Sequence, residues 1–278
     1  MVMTMQRTFI ALTLAASLVG IGAAQAQEHG APVPPPQKWS FSGPFGKYDE
    51  AQLQRGFKIY KEVCSACHSM SLLSFRNLAE PGGPGFSEAQ AAAVAADYKI
   101  KDLDDKGEPI ERPGRPADYF PSPFPNALAA AAANGGTAPP DFSTIAKART
   151  YERGFPWFLI DIVTQYQEQG PDYIHALLNG YEDAPKDFAL PPGGNYNKYF
   201  PGHSIAMPKP LSDGQVTYDD GSPQTVDQYG KDVAAFLMWA AEPHMIARKR
   251  IGFQVMIFLL VLAGLTYFTK KKVWSAVH

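Results

Sequence analysis

Five residues, Cys64-Ser65-Ala66-Cys67-His68, constrain this chain more tightly than any other stretch. In a Cys-x-x-Cys-His run each thiol can add across one vinyl group of a porphyrin, and the histidine that follows is placed beneath the iron. The spacing is strict because the two vinyl groups lie a fixed distance apart on one edge of the ring. A thioredoxin-like redox pair shares the Cys-x-x-Cys but has no use for His68. Half of a zinc site would need a second cysteine pair, and the chain has 2 cysteines in all. The motif therefore predicts one covalently bound haem c, with Cys64 and Cys67 as attachment points and His68 as an axial ligand of the iron. Both thiols are used by it, so no disulfide framework remains.

The two ends of the chain carry apolar runs of different kinds. Arg7 precedes an apolar stretch over residues 9–21, and Ala24-Gln25-Ala26 then forms an A-x-A site. That is the pattern of a cleaved export signal over residues 1–26, in keeping with haem attachment outside the cytoplasm. Residues 251–268 contain no charge and are bracketed by Arg248-Lys249-Arg250 and Lys270-Lys271-Lys272. As a helix this run rises roughly 27 Å, enough with a flanking turn to cross a hydrocarbon core. Three basic residues on either side give no orientation. The export signal supplies one: a periplasmic haem domain over 27–246, a single membrane anchor over 247–270 in the cell inner membrane, and a cytoplasmic tail over 271–278.

Charge divides along the same boundaries. All 27 acidic residues lie between residues 27 and 247, against 18 of the 25 basic ones, so the exported part stands near −9 while the whole chain is at −2. Such a surface is ill suited to nucleic acid and well suited to steering a basic partner.

Residues 30–38 form a proline-rich leader, predicted to be extended. Asp49 can cap a first helix, with Gln52 placed to complete a capping box. Leu53, Phe57 and Tyr60 share one face of that helix, which runs straight into Cys64, and Gly56 would let another helix cross closely. Residues 80–125 read as irregular apart from an alanine-rich helix over 88–98. Their acidic stretch, with Asp102, Asp104, Asp105, Glu108 and Glu111, reads as a solvated excursion. Short helices are predicted over 127–133, 142–149 and 172–180. The clearest helix starts at Thr225, with Gln228 again placed for a capping box. Val226, Tyr229, Val233, Phe236, Leu237 and Ala240 then repeat at 3–4 spacing. Its apolar face needs a partner, for which the Gly56-Phe57 face is the candidate, and Pro243 ends it close to the anchor.

An electron carrier needs the second axial site filled as well, and methionine raises the potential relative to a second histidine. Met1, Met3 and Met5 fall in the export signal, and Met70 is too near His68 to reach the opposite face. Met256 lies in the anchor, Met245 at its boundary, and Met238 off the apolar stripe of its helix. Met207 remains, in the proline-stiffened run His203-Ser204-Ile205-Ala206-Met207-Pro208. His203 is the alternative, which would give a bis-histidine haem.

Other stretches now join the pattern. They include Arg55-Gly56 ahead of Tyr60, Asp118-Tyr119-Phe120-Pro121, and Ala133-Asn134-Gly135 leading to Pro139-Pro140-Asp141. Ile205-Ala206-Met207-Pro208, Trp239-Ala240-Ala241-Glu242-Pro243 before the anchor, and Lys272-Val273-Trp274-Ser275 follow. With CSACHSM over 64–70, these resemble the cytochrome c1 family, the haem subunits of ubiquinol–cytochrome c oxidoreductase, over nearly the whole mature chain. The resemblance implies a mainly α fold: a cytochrome c-like haem domain with long irregular insertions and one C-terminal transmembrane helix. It implies Cys64 and Cys67 as haem attachments and His68 and Met207 as iron ligands. Where the family has an arginine near a haem propionate this chain has Ala131, which leaves Arg149 and Arg76 as candidates.

The resemblance also implies a role. The chain would take single electrons from the Rieske iron–sulfur subunit and pass them to a soluble or membrane-bound cytochrome c, alongside cytochrome b in the bc1 complex and in contact with membrane lipid. No bond-making catalysis is expected of the chain alone. A free membrane-tethered shuttle is the alternative, although it would want a longer linker than residues 243–248. A haem enzyme or gas sensor would need an open sixth site, which Met207 argues against.

Overall fold

The computed structural model describes residues 30–151, 154–164 and 168–275. The export signal over 1–26 lies outside the described residues, as does the end of the tail. Asp49 caps α1 (Glu50–Glu62) by accepting the Gln52 N–H at 2.7 Å, and Leu53, Gly56, Phe57, Ile59 and Tyr60 make its buried face. Two helices named from the sequence as partners do meet. The second is α7 (Val226–Ala241), capped by Thr225, which accepts the Gln228 N–H at 3.3 Å. A Cβ added to Gly56 would lie 2.1 Å from the Asp232 carbonyl oxygen, so the helices cross where α1 has no side chain. Phe57 and Phe236 pack beside that point with ring centres 5.7 Å apart.

The glutamines placed for capping boxes do something else. Gln52 Nε2 and Gln228 Nε2 both donate to Asp232 Oδ1, at 3.3 and 2.9 Å. Arg55 Nε and the Tyr218 hydroxyl donate to Asp232 Oδ2, at 2.8 and 2.9 Å. A wholly buried carboxylate thus sits between α1 and α7 with its oxygens filled by four side chains.

Helix α7 is not one-sided. Residues 232–240 are all buried, because α1, α4 (Ile145–Ala148) and α6 (Gln169–Asn179) pack around it. Met238, expected off the apolar stripe, is therefore 1% exposed in the core. Along one flank Trp239 meets Gly83, and along another Gly230 meets His175.

Helix α2 (Glu88–Ala96) closes a true capping box between Ser87 and Gln90. The acidic stretch beyond it is no irregular excursion but a hairpin, β1 (Lys99–Leu103) against β2 (Pro109–Pro113), antiparallel with Ile100 opposite Arg112. Asp104 builds the turn by accepting the N–H groups of Lys106 and Glu108, with Gly107 at φ +81°. Charged residues sit on both of its faces, Asp102 and Arg112 on one and Lys99, Lys101 and Glu111 on the other, so there is no clean apolar alternation to read. Helix α3 (Ala127–Ala133) has the expected bounds. Helix α4 is shorter than predicted, and α6 starts three residues before the predicted 172. Helix α5 (Trp157–Thr164) was not foreseen. Strands β3 (Asn195–Tyr196) and β4 (Ser204–Ile205) pair as a short ladder.

Helix α8 (Met245–Trp274) is long and apolar enough to cross a membrane, and none of its apolar window is buried by the rest of the protein. Three residues, Glu242-Pro243-His244, separate it from α7. The Tyr48 hydroxyl hydrogen-bonds the carbonyls of Met238 and Glu242 across this corner, each at 3.3 Å. Lys249 Nζ donates to the Phe41 and Gly43 carbonyls at 2.6 Å, and Phe45 packs edge-on against Phe253.

Candidate haem-attachment site

Helix α1 ends at the motif. Its last turn closes with the Val63 N–H on the Ile59 carbonyl, and a 3₁₀ turn over Cys64–Ala66 follows. The N–H groups of Cys67 and His68 both reach the Cys64 carbonyl, at 3.1 and 2.9 Å, and the Ser65 hydroxyl bonds the Lys61 carbonyl at 2.8 Å. The turn therefore holds both thiols and the imidazole in one tight loop. Cys64 is half-buried and Cys67 exposed, and they are not joined to each other. Burial, with Cys67 beside it, pushes the Cys64 thiol up to about 12. It stays neutral at neutral pH, unlike the reactive thiolate of a redox-exchange pair.

His68 is 8% exposed, and what surrounds it comes from far along the chain. Its Nδ1 lies 2.9 Å from the Pro140 carbonyl and donates to it, which leaves the Nε2 lone pair for a metal. The ring stacks on Phe142, centres 3.9 Å apart and 17° from parallel, and the Tyr60 hydroxyl donates to the His68 carbonyl at 3.3 Å. Burial pulls the imidazole pKa down, against the opposing pull of the Pro140 hydrogen bond and the Asp141 charge. The ring is thus neutral at neutral pH, the form that ligates iron.

Asp141 fastens the two segments together. Its Oδ2 accepts the Ser69 hydroxyl at 2.7 Å and the Ser71 N–H at 2.9 Å, while Oδ1 accepts the Ser143 N–H at 2.8 Å. The Phe142 N–H returns to the Ser69 carbonyl at 2.8 Å. Partial burial acts to raise the Asp141 carboxyl, but the hydrogen bonds from Ser143, Ser71 and Ser69 outweigh it and hold the group well below the ordinary carboxylate range. Asp141→Asn is expected to lower unfolding stability by about 2 kcal/mol, the scale of hydrogen bonds to a charged group. Urea unfolding of the haem-loaded protein checks this, and an unchanged midpoint would remove Asp141 from the seat of His68.

Sequence reasoning missed this seat. The one local hint of it is Asp141 two residues before Ser143, which is the spacing of an Asx turn. Met207 is half-buried just past β4, its carbonyl held by the Tyr181 hydroxyl at 3.1 Å. No hydrogen bond among the described residues joins it to the 64–68 turn. His203 stacks on Tyr196, centres 5.5 Å apart, and its Nδ1 meets the Asn197 carbonyl at 3.3 Å within the same loop. Ala131 is on α3 and Arg76 is exposed on the 3₁₀ turn Phe75–Ala79, whereas Arg149 lines a cleft with Glu242 and Arg248 at the foot of α8.

Two neighbouring thiols, an imidazole fixed with Nε2 available and a buried aromatic wall fit a covalently held haem. A helical domain of this construction, carried on a membrane-length helix, is a membrane-borne c-type cytochrome. The sequence model of the Cytochrome C1 family matches residues 39–277. The chain is 64% identical to cytochrome b/c1 of Bradyrhizobium diazoefficiens over 276 residues, covering 96% of this chain and 40% of that one. It is 50% identical to cytochrome c1 of Blastochloris viridis, over 99% of this chain and 98% of the relative, and 43% identical to that of Rhodospirillum rubrum, over 96% and 97%. The chain belongs to the cytochrome c1 family, the electron-transfer haem subunits of the cytochrome bc1 complex, whose haem c is covalently bound.

Proposed function

We propose that this chain carries one haem c, bound through Cys64 and Cys67 with His68 and Met207 as the iron's axial ligands, and relays single electrons from the Rieske iron–sulfur subunit to a cytochrome c. When bound, the haem supplies the one-electron couple. The observation that carries the reading is the fixed tautomer of His68: Nδ1 is committed to Pro140, so Nε2 is turned over to ligation before any metal arrives. Phe142 and Tyr60 keep that ring from moving as charge changes beside it. The choice of Met207 over His203 is supported by the local engagement of His203 with Tyr196 and Asn197.

In this reading residues 1–26 are removed on export and 27–246 face the periplasm. Residues 247–270 anchor the chain beside cytochrome b in the inner membrane, leaving 271–278 in the cytoplasm. The three-residue corner between α7 and α8 disfavours the alternative of a freely swinging shuttle. The test is an optical redox titration of the membrane-bound protein beside Met207→Leu. The mutant's potential is expected to fall by a sizeable part of the roughly 0.8 V range that axial ligands command. The wild-type reduced haem should not bind carbon monoxide. An unchanged potential would remove Met207 and point to His203.

A further inference from the structure

At the foot of α8 the haem domain has a cleft of about 530 Å³, lined chiefly by Lys147, Arg149, Gln169, Glu242 and Arg248. It gathers three cations around one carboxylate. Glu242 is shared between Lys147, at 3.3 Å, and Arg248, at 2.8 Å, and no carboxylate among the described residues pairs with Arg149. The cleft is thus positive within a part of the chain that is otherwise strongly acidic.

Its height is set by the helix. Arg248 precedes Ile251, the first residue of the uncharged run, by three positions, which is about 4.5 Å of helical rise. If α8 spans a membrane, the cleft lies at the level of the phosphates of the leaflet on the haem-domain side. Beside it Gln169 Nε2 donates to Asp161 Oδ2 at 3.3 Å, which ties α5 to the cleft. Around that helix Phe155 is 78%, Trp157 46% and Phe158 53% exposed. Trp favours the boundary between headgroups and acyl chains, and Phe beside it on an interfacial helix enters the acyl edge.

We infer that this cleft holds the phosphate headgroup of an anionic phospholipid from the adjoining leaflet, gripped by Arg149 and Arg248, with the aromatic residues of α5 in the interfacial layer next to it. The inference rests on α8 spanning a membrane and not on the electron-relay reading. A soluble anion would have no use for the exposed aromatic ridge, and a zwitterionic headgroup would leave the excess positive charge unmet. Removing the charge at the cleft should therefore change which lipid stays bound.

The test is native mass spectrometry of the haem-loaded full chain after exposure to equal amounts of phosphatidylglycerol and phosphatidylcholine. Wild type is expected to retain phosphatidylglycerol roughly tenfold over phosphatidylcholine, given the attraction each base near a surface exerts on anionic lipid. Arg149→Gln with Arg248→Gln should lose that preference while still carrying covalently attached haem. Lys270→Gln with Lys271→Gln and Lys272→Gln, at the other end of α8, should keep it. If the double variant fails to fold, Arg149→Gln alone, at an exposed position, should show a smaller drop. No preference in wild type, or a preference that survives Arg149→Gln with Arg248→Gln, would overturn the inference. So would displacement by an equal concentration of inorganic phosphate, which would mark a soluble-anion site. Loss of the lipid when the same measurement is made on the intact complex would overturn it as well.

Discussion

Asp232→Ala is expected to destabilise the haem domain by about 3–5 kcal/mol, the range for breaking a buried ion pair from one side. The Asp232 side chain is wholly buried and that of its partner Arg55 is 17% exposed. Arg55 also reaches the more exposed Asp220 at 2.7 Å, so its charge is not left entirely alone. The greater loss comes from Gln52, Gln228 and Tyr218, whose donors all converge on the same carboxylate. Because those groups belong to α1, α7 and the segment leading into α7, the carboxylate fixes how the helices sit against each other. Urea unfolding should show a lower midpoint with an unchanged slope. Asp232→Asn, which keeps the size and one acceptor, should cost less. A loss below about 1 kcal/mol, no more than an ordinary hydrogen bond, would mean that water can replace the whole arrangement.

Gly56→Ala should run against the usual rule. In an ordinary helix interior the change is stabilising by about 1 kcal/mol. Here the new methyl would stand 2.1 Å from the Asp232 carbonyl oxygen and 2.6 Å from Phe236 Cβ, neither of which is the free end of a flexible side chain. The helices must part, and the expected cost is about 1–3 kcal/mol or somewhat more. Since α1 carries the Cys64–His68 turn on its last residue, the displacement reaches the haem site, and less haem-loaded protein should accumulate. Gly252→Ala is the control, because nothing lies within 4 Å of a Cβ there. Equal stability of the two variants would refute the close crossing.

The sequence made α1, α7 and their contact legible for one reason: caps, periodic apolar residues and a glycine at the crossing all lie within a few residues of each other. The haem turn was legible because its chemistry demands a fixed local spacing. What escaped was nonlocal. Asp49-to-Gln52 and Thr225-to-Gln228 have the spacing of capping boxes, yet both glutamines turn to a carboxylate that only the folded packing places between them. The seat of His68 joins residues about 72 positions apart through a backbone carbonyl, which no side-chain pattern announces. The β1–β2 hairpin carries charged residues on both faces, and α4 is cut short because Pro140 to Ser143 serve the histidine. For Met207 the sequence offers elimination beside the family resemblance, and one step of the elimination misplaces Met238, which lies in the core.

The corner at Glu242-Pro243-His244 has a further consequence. A domain on a long tether explores a cone, and its encounters are governed by the local concentration that the tether allows. Here Tyr48 clasps the corner, and Lys249 and Phe253 brace the first turns of α8 against the segment around Phe41 to Phe45. With α8 across a bilayer, as proposed, the Cys64–His68 turn is held at one altitude and one heading above it, like an instrument on a fixed mast. In the proposed relay, any travel that electron delivery requires falls to the partners, because this chain has no slack to give.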